Sequence, residues 1–234
     1  MRLVQADSLA ETVDRVNEAF FFGRRVSKEQ GLRAARFIAR RHNLPGAYAG
    51  TFALFDAERR TGIRAFTGER LIAAAARHII GEESCRALRF LNVGDAAVQH
   101  ALDESSDRLR ACVGVVRRRT SGHRKVPYLG GTYCCGRCSV SLWRHLNAGG
   151  MDDRERRLTV GLRFLRKMRK GNGGWRVFPF WYTLSALIEM EGKTAREELR
   201  YAAPVLEHSL RRSAGLEPFG PRRQEIARRA LACA

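Results

Sequence analysis

The chain has 234 residues, 44% hydrophobic and 29% charged, enough to bury a sizeable core as one domain. It has no apolar run of about 18 residues, which excludes an ordinary membrane-spanning helix. The formal charge is +19 and five of the 43 basic residues are Lys, a balance that favours nucleic acid, anionic lipid or a phosphorylated ligand as partner, with codon composition and a solvated surface as the plainer source of the arginines.

The N-terminal stretch Met1 to Asp7 lacks the apolar centre of a signal peptide, so a cytoplasmic protein with six reduced cysteines is expected. Leu9, Val13, Val16 and Phe20 recur at helical spacing and predict a first amphipathic helix. Ser27 with Gln30 three residues on reads as a capping box that opens a helix to Arg41. Asn43-Leu44-Pro45-Gly46 ends it, and a helix over about 49–60 should follow. Thr67 with Glu69 starts another, Gly81 breaks it, and short helices are expected over Glu82–Leu91, Asp95–Leu102 and Ser106–Arg118. A glycine-rich loop, Thr120 to Gly136, then leads into a helix at Cys138. Asp152 should cap the next helix. The turn Pro218-Phe219-Gly220-Pro221 separates two closing helices, about 194–212 and 221–233, in which Pro204 must start or kink a helix. No β-alternation is visible.

One pattern occurs twice. Phe37-Ile38, His42, Gly46 and Tyr48 stand at the same spacing as Phe164-Leu165, Arg169, Gly173 and Trp175. Each set precedes an apolar stretch opened by Thr, at Thr51 and Thr183, and Ser139 marks a degenerate middle copy with Gly131-Thr132-Tyr133 in the glycine–aromatic place. The copies cover about 27–59, 107–147 and 152–192, with a C-terminal helical cap over about 194–234. Repetition at this scale predicts an array of supersecondary units, each unable to bury its apolar face alone.

The spacing resembles the Gln–Trp repeat of squalene and terpene cyclases and of protein prenyltransferase β subunits, with Arg169 and His42 where that family has Gln. The resemblance implies an all-α fold of repeated helix pairs forming a small or partial α/α toroid, a single domain over 1–234. In that family the motif locks neighbouring helices and does no chemistry. Neither the Asp-x-Asp-Asp acid nor the Asp-Asp-x-x-Asp motif is present, since Asp152-Asp153-Arg154-Glu155 reads as a helix start. Of the family's zinc ligands only a cysteine, Cys138, has a counterpart, and Tyr182 stands where a His belongs. The expectation is a binding or degenerate non-catalytic member holding a lipid-like anion such as an isoprenoid diphosphate.

The residues expected to hold that ligand are the aromatics Trp143, Trp175, Trp181 and Tyr182 for the chain, and His123, Arg124, Lys125 and Arg137 for the phosphates. His123 and the three cations lie in a stretch without acidic residues between Asp107 and Asp152. A basic scaffold that binds nucleic acid through the same stretch, including Arg117, Arg118 and Arg119, is the second reading. A third is a zinc or thiol site at Cys134, Cys135 and Cys138, because Cys135-x-x-Cys138 has the spacing of a metal half-site. Its nearest complements in sequence are His123 and Cys112. Basic neighbours would also favour a reactive thiolate. The plainer reading is small side chains filling a glycine turn, with no stoichiometric metal. His78, His100 and His208 read as lone helix residues.

Overall fold

Ser8 and Ser27 open the first two helices as their side chains accept backbone N–H groups of the first turns. They start α1 (Leu9–Phe21) and α2 (Lys28–Ala39), and Ser27 with Gln30 forms the expected reciprocal box. The structure is a computed structural model that describes residues 2–114, 130–211 and 218–234. After α2 come a 3-10 turn (Tyr48–Gly50), α3 (Asp56–Thr61), a two-residue antiparallel hairpin of β1 (Ile63–Arg64) and β2 (Arg70–Leu71), then α4 (Ala73–Leu91) and α5 (Ala96–Gly114). The remaining helices are α6 (Gly136–Asn147), α7 (Arg154–Lys167), α8 (Phe180–Leu187), α9 (Lys193–Arg211) and α10 (Gly220–Cys233). The fold is all-α, with one small hairpin among the described residues. No described helix is long and apolar enough to cross a membrane.

Several local expectations are corrected. The helix expected over 49–60 is broken because Ala49 and Gly50 take left-handed φ of 50° and 71°, and residues 51–55 are non-helical before the short α3. The segment 67–72 forms the hairpin rather than a helix start. Gly81 does not stop a helix. It lies inside α4, where a Cβ would meet Thr51 Oγ1 at 2.8 Å, so glycine permits the close approach of the 51–55 segment. The predicted break near residue 105 is absent too: Ser106 returns its hydroxyl to Leu102 O within an unbroken α5. Asp153, not Asp152, takes the N-cap position of α7, while Asp152 pairs with Arg110 and Arg157. Pro204 lies within α9 on its exposed side.

The helices alternate in role along the chain. α4, α6, α8 and α10 pack against one another in sequence order, and α5, α7 and α9 each pack on the helix just before them. α4 is buried on all sides from Ile79 to Leu88, α6 from Cys138 to Leu146 and α8 from Tyr182 to Leu187, so these three form the centre. α1 and α2 cover α4. Contacts between α4 and α6 rise together along both helices: His78 with Cys138, Ile79 O with Ser141, Glu82 with His145, Glu83 with Arg144. The two helices therefore run in the same direction. The sequence repeat straddles this packing unit, since its first helix is outer and its second belongs to the next pair. At the repeat's polar position, Arg169 bridges Trp175 and His42 bridges Phe52, which makes Phe52 rather than Tyr48 the counterpart of Trp175.

Candidate metal centre

Two buried polar assemblies lie along the α4–α6 seam. At its N-terminal end the turn before α6 brings up three thiols. Cys135 is the N-cap residue of α6, its sulfur accepting the Cys138 N–H at 3.5 Å. The turn presses on the 177–178 backbone, where a Cβ on Gly136 would meet Val177 O at 2.0 Å, so glycine is required beside the cap. Ser139 accepts the Tyr133 N–H at 2.8 Å and returns its hydroxyl to Cys135 O at 2.8 Å, fixing the loop on both sides.

His78, one turn into α4, closes the site. Its Nδ1 lies 3.3 Å from Cys134 Sγ and 3.7 Å from Cys138 Sγ, and the three ligand atoms are mutually within 4.8 Å. Zinc with Zn–S of about 2.3 Å and Zn–N of about 2.0–2.1 Å at tetrahedral angles keeps S and N about 3.6 Å apart. The two observed distances bracket that edge. Cys135 Sγ takes hydrogen bonds from the Cys134 and Cys138 thiols but falls outside the mutually close set. The Tyr48 ring covers the imidazole at 3.7 Å between centroids, and its hydroxyl bonds that of Tyr133.

The electrostatics suit a cation. Burial pushes His78 down to about 4, against a smaller raising effect of Cys135 and a lowering one of Arg77, so the imidazole is neutral with a free lone pair at neutral pH. The hydrogen bonds from Cys134 and Cys138 hold the Cys135 thiol well below its ordinary value. The same bonds push Cys134 and Cys138 up, aided at both by burial. A bound cation would favour the thiolate at each sulfur that holds it. All six cysteines are free thiols.

Farther along the seam, Glu83 accepts Arg144 Nε at 2.7 Å, the Tyr182 hydroxyl at 2.7 Å and Asn17 Nδ2 at 3.2 Å. Arg86 makes two bonds of 2.8 Å to Glu189, which also accepts Arg144 Nη1 at 3.1 Å. Two carboxylates and two guanidiniums so balance in the centre of the molecule and tie α1, α4, α6 and α8. Beside them His145 Nδ1 meets Glu82 at 2.5 Å.

The residues expected from the sequence are dispersed. His123, Arg124 and Lys125, like Arg117 to Arg119, lie outside the described residues. Arg137 is exposed on the first turn of α6. Trp143 is fully buried, stacked on Phe178, with its N–H on Gly131 O at 2.7 Å. Trp175 bonds Glu198, Tyr182 bonds Glu83, and Trp181 packs half-buried on Phe180. The described arginines of the acid-free stretch other than Arg137 find acids at its borders or on other segments: Arg108 meets Glu104 and Arg110 meets Asp107 one turn back on α5, Arg110 also meets Asp152, and Arg144 meets Glu83 and Glu189. Absence of acid along the chain is not absence in space. Cys134, Cys135 and Cys138 do come together. Among the described residues their complement is not Cys112 but His78, which the sequence alone places on a helix with no partner; His123 lies outside the described residues. No protein-family model matches the chain, and neither a curated protein nor a solved structure matches it.

Proposed function

We propose that this chain is a metal-binding helical-repeat protein in which His78, Cys134 and Cys138 hold one soft divalent cation, zinc by choice of ligand type. The carrying observation is the approach of His78 Nδ1 to both sulfurs at 3.3 and 3.7 Å, the edge lengths of one coordination tetrahedron. Sulfur with imidazole selects zinc over hard cations such as magnesium, which prefer oxygen. Three protein ligands leave a fourth position for water or another exchangeable ligand. The expectation of a metal-free turn rested on the want of a complement near the cysteines, and His78 supplies one.

The metal would join α4 to the start of α6, so binding and folding are coupled. Metal analysis of protein purified without a histidine tag and reconstituted with zinc tests the reading. One equivalent is expected in the parent and in Cys112→Ser, and less than a tenth of that in His78→Ala and in Cys138→Ser. Absence of zinc from the reconstituted parent, or its full retention in either His78→Ala or Cys138→Ser, would overturn it.

The serial packing of α4, α6, α8 and α10 supports a further reading of the scaffold as a partial α/α toroid. A solved crystal structure with the inner helices not arranged about an axis would refute that. The lipid-diphosphate and nucleic-acid readings draw no support from the described residues, because Trp143, Trp175 and Tyr182 are packed in the core and the described arginines of the acid-free stretch other than Arg137 are ion-paired.

A further inference from the structure

The three thiols at the start of α6 differ in access. Cys138 is 1% exposed, whereas Cys134 and Cys135 are partly open to solvent. Cys135 lies outside the mutually close set of His78, Cys134 and Cys138, yet its sulfur accepts the Cys138 N–H at 3.5 Å at the start of the same helix. One cysteine is therefore accessible and unclaimed by the cation, and it touches one that the cation claims.

We propose that Cys135 and Cys138 form an oxidant-triggered disulfide that expels the metal, so that the centre is a redox-released zinc site. The inference rests on the metal reading above. A hydroperoxide reaches Cys135 rather than buried Cys138. The Cys135 thiolate attacks the peroxide oxygen, the O–O bond breaks, and the sulfur becomes a sulfenic acid while alkoxide or hydroxide leaves. Cys138 thiolate then attacks that sulfur and hydroxide leaves again, closing the disulfide. Two thiolates have lost two electrons, the peroxide has gained them, and two protons turn the leaving groups into alcohol and water. Zinc stays divalent. It loses a ligand because the Cys138 sulfur now shares its electrons with Cys135, and His78 with Cys134 alone cannot hold it.

The geometry limits the alternatives. Cys134 and Cys135 are sequence neighbours, and a bond between them would have to twist the peptide that joins them. Cys135 with Cys138 spans one helical turn, and the Cys138 N–H already reaches the Cys135 sulfur at 3.5 Å. The N-cap amide bond to Cys135 Sγ holds that sulfur over the first turn, where Cys138 projects.

The experiment uses the full zinc-loaded chain and hydrogen peroxide at one equivalent, with a chromophoric chelator reporting zinc and mass spectrometry reporting cross-links. Trypsin cuts after Arg137, so a Cys135–Cys138 bond holds two peptides together that reduction separates. Zinc release in step with that cross-link is expected. Cys135→Ser keeps a side chain suited to the N-cap and therefore the fold; it should retain one equivalent of zinc and release it at least tenfold more slowly. Release at the parental rate from Cys135→Ser, or a cross-link through Cys134 instead, overturns the inference and leaves the metal site standing. A chain that takes up no zinc overturns both readings.

Discussion

The indole N–H of Trp175 donates to Glu198 at 2.9 Å, and Arg169 reaches the same carboxylate through Nε at 3.1 Å and Nη2 at 2.9 Å. Glu198 is fully buried on α9. The polar and aromatic positions of the sharp repeat thus serve one acid on the next outer helix. Their spacing is a fastening between pairs.

Glu198→Ala should therefore be costly, because it removes the carboxylate that a guanidinium and an indole N–H share. A loss of about 1–3 kcal/mol is expected, because the indole N–H is stranded while Arg169, 27% exposed, keeps Glu197 O as an acceptor. Glu198→Gln keeps an acceptor for Trp175 and should lose less. Urea unfolding followed by Trp fluorescence compares the two, and equal losses would sink this account.

The central four-charge network should show strong non-additivity. Arg144→Met alone leaves Glu83 buried without its principal cation, and Glu83→Gln alone leaves Arg144 in excess, at about 3–5 kcal/mol each. The double variant removes both charges together and should lose clearly less than the sum of the singles. A double-mutant cycle by chemical denaturation measures the coupling, and additive losses would mean that the pair is not a unit.

Acid should weaken the fold through Glu83. Burial alone would raise its carboxyl, but the charges of Arg144 and Arg86 with the bonds from Arg144 and Tyr182 outweigh that and hold it below the ordinary value of 4.5. The unfolded chain then binds the proton at higher pH than the folded one. The contribution is complete above the unfolded value and is lost as pH falls through the folded one. Unfolding free energy of the metal-free protein should decline below about pH 5, and the Glu83→Gln profile should be flatter over the same range. Parallel profiles would assign the acid loss to other groups.

Gly81→Ala tests the close approach inside α4. Its Cβ would stand 2.8 Å from Thr51 Oγ1, and the expected cost is about 1–3 kcal/mol, as for overpacking. Thr51→Ala removes the colliding oxygen and should restore part of the loss when combined. A neutral Gly81→Ala, measured by thermal unfolding, would show that the segment yields freely.

How much of this is legible in the chain follows from which signals are local. The Ser27–Gln30 box, the helix of Phe164 and Leu165 and both closing helices are written in contiguous spacing, and the fold has them. α4 is not, because its middle reads Gly-Glu-Glu-Ser and looks like a break, whereas both glutamates there pair with α6, Glu82 with His145 and Glu83 with Arg144. Periodicity marks helices that divide water from core. It is silent on a helix buried all round whose polar residues pair with one another. The cysteine turn announces half a site, and its complement lies 56 residues before Cys134 on α4 with no spacing to betray it.

The parallel course of α4 and α6 has a consequence for how the chain finds one arrangement among many. Two helices meeting through aliphatic side chains alone can slide by a turn, about 5.4 Å, and meet nearly as well. Here a slide would carry Arg144 away from Glu83, His145 away from Glu82 and Cys138 away from His78 together. Each mismatch strands a buried polar group, and the three errors fall at once. The seam behaves like a key cut at three depths, admitting one alignment of neighbouring units and rejecting the near misses that a repeated sequence would otherwise invite.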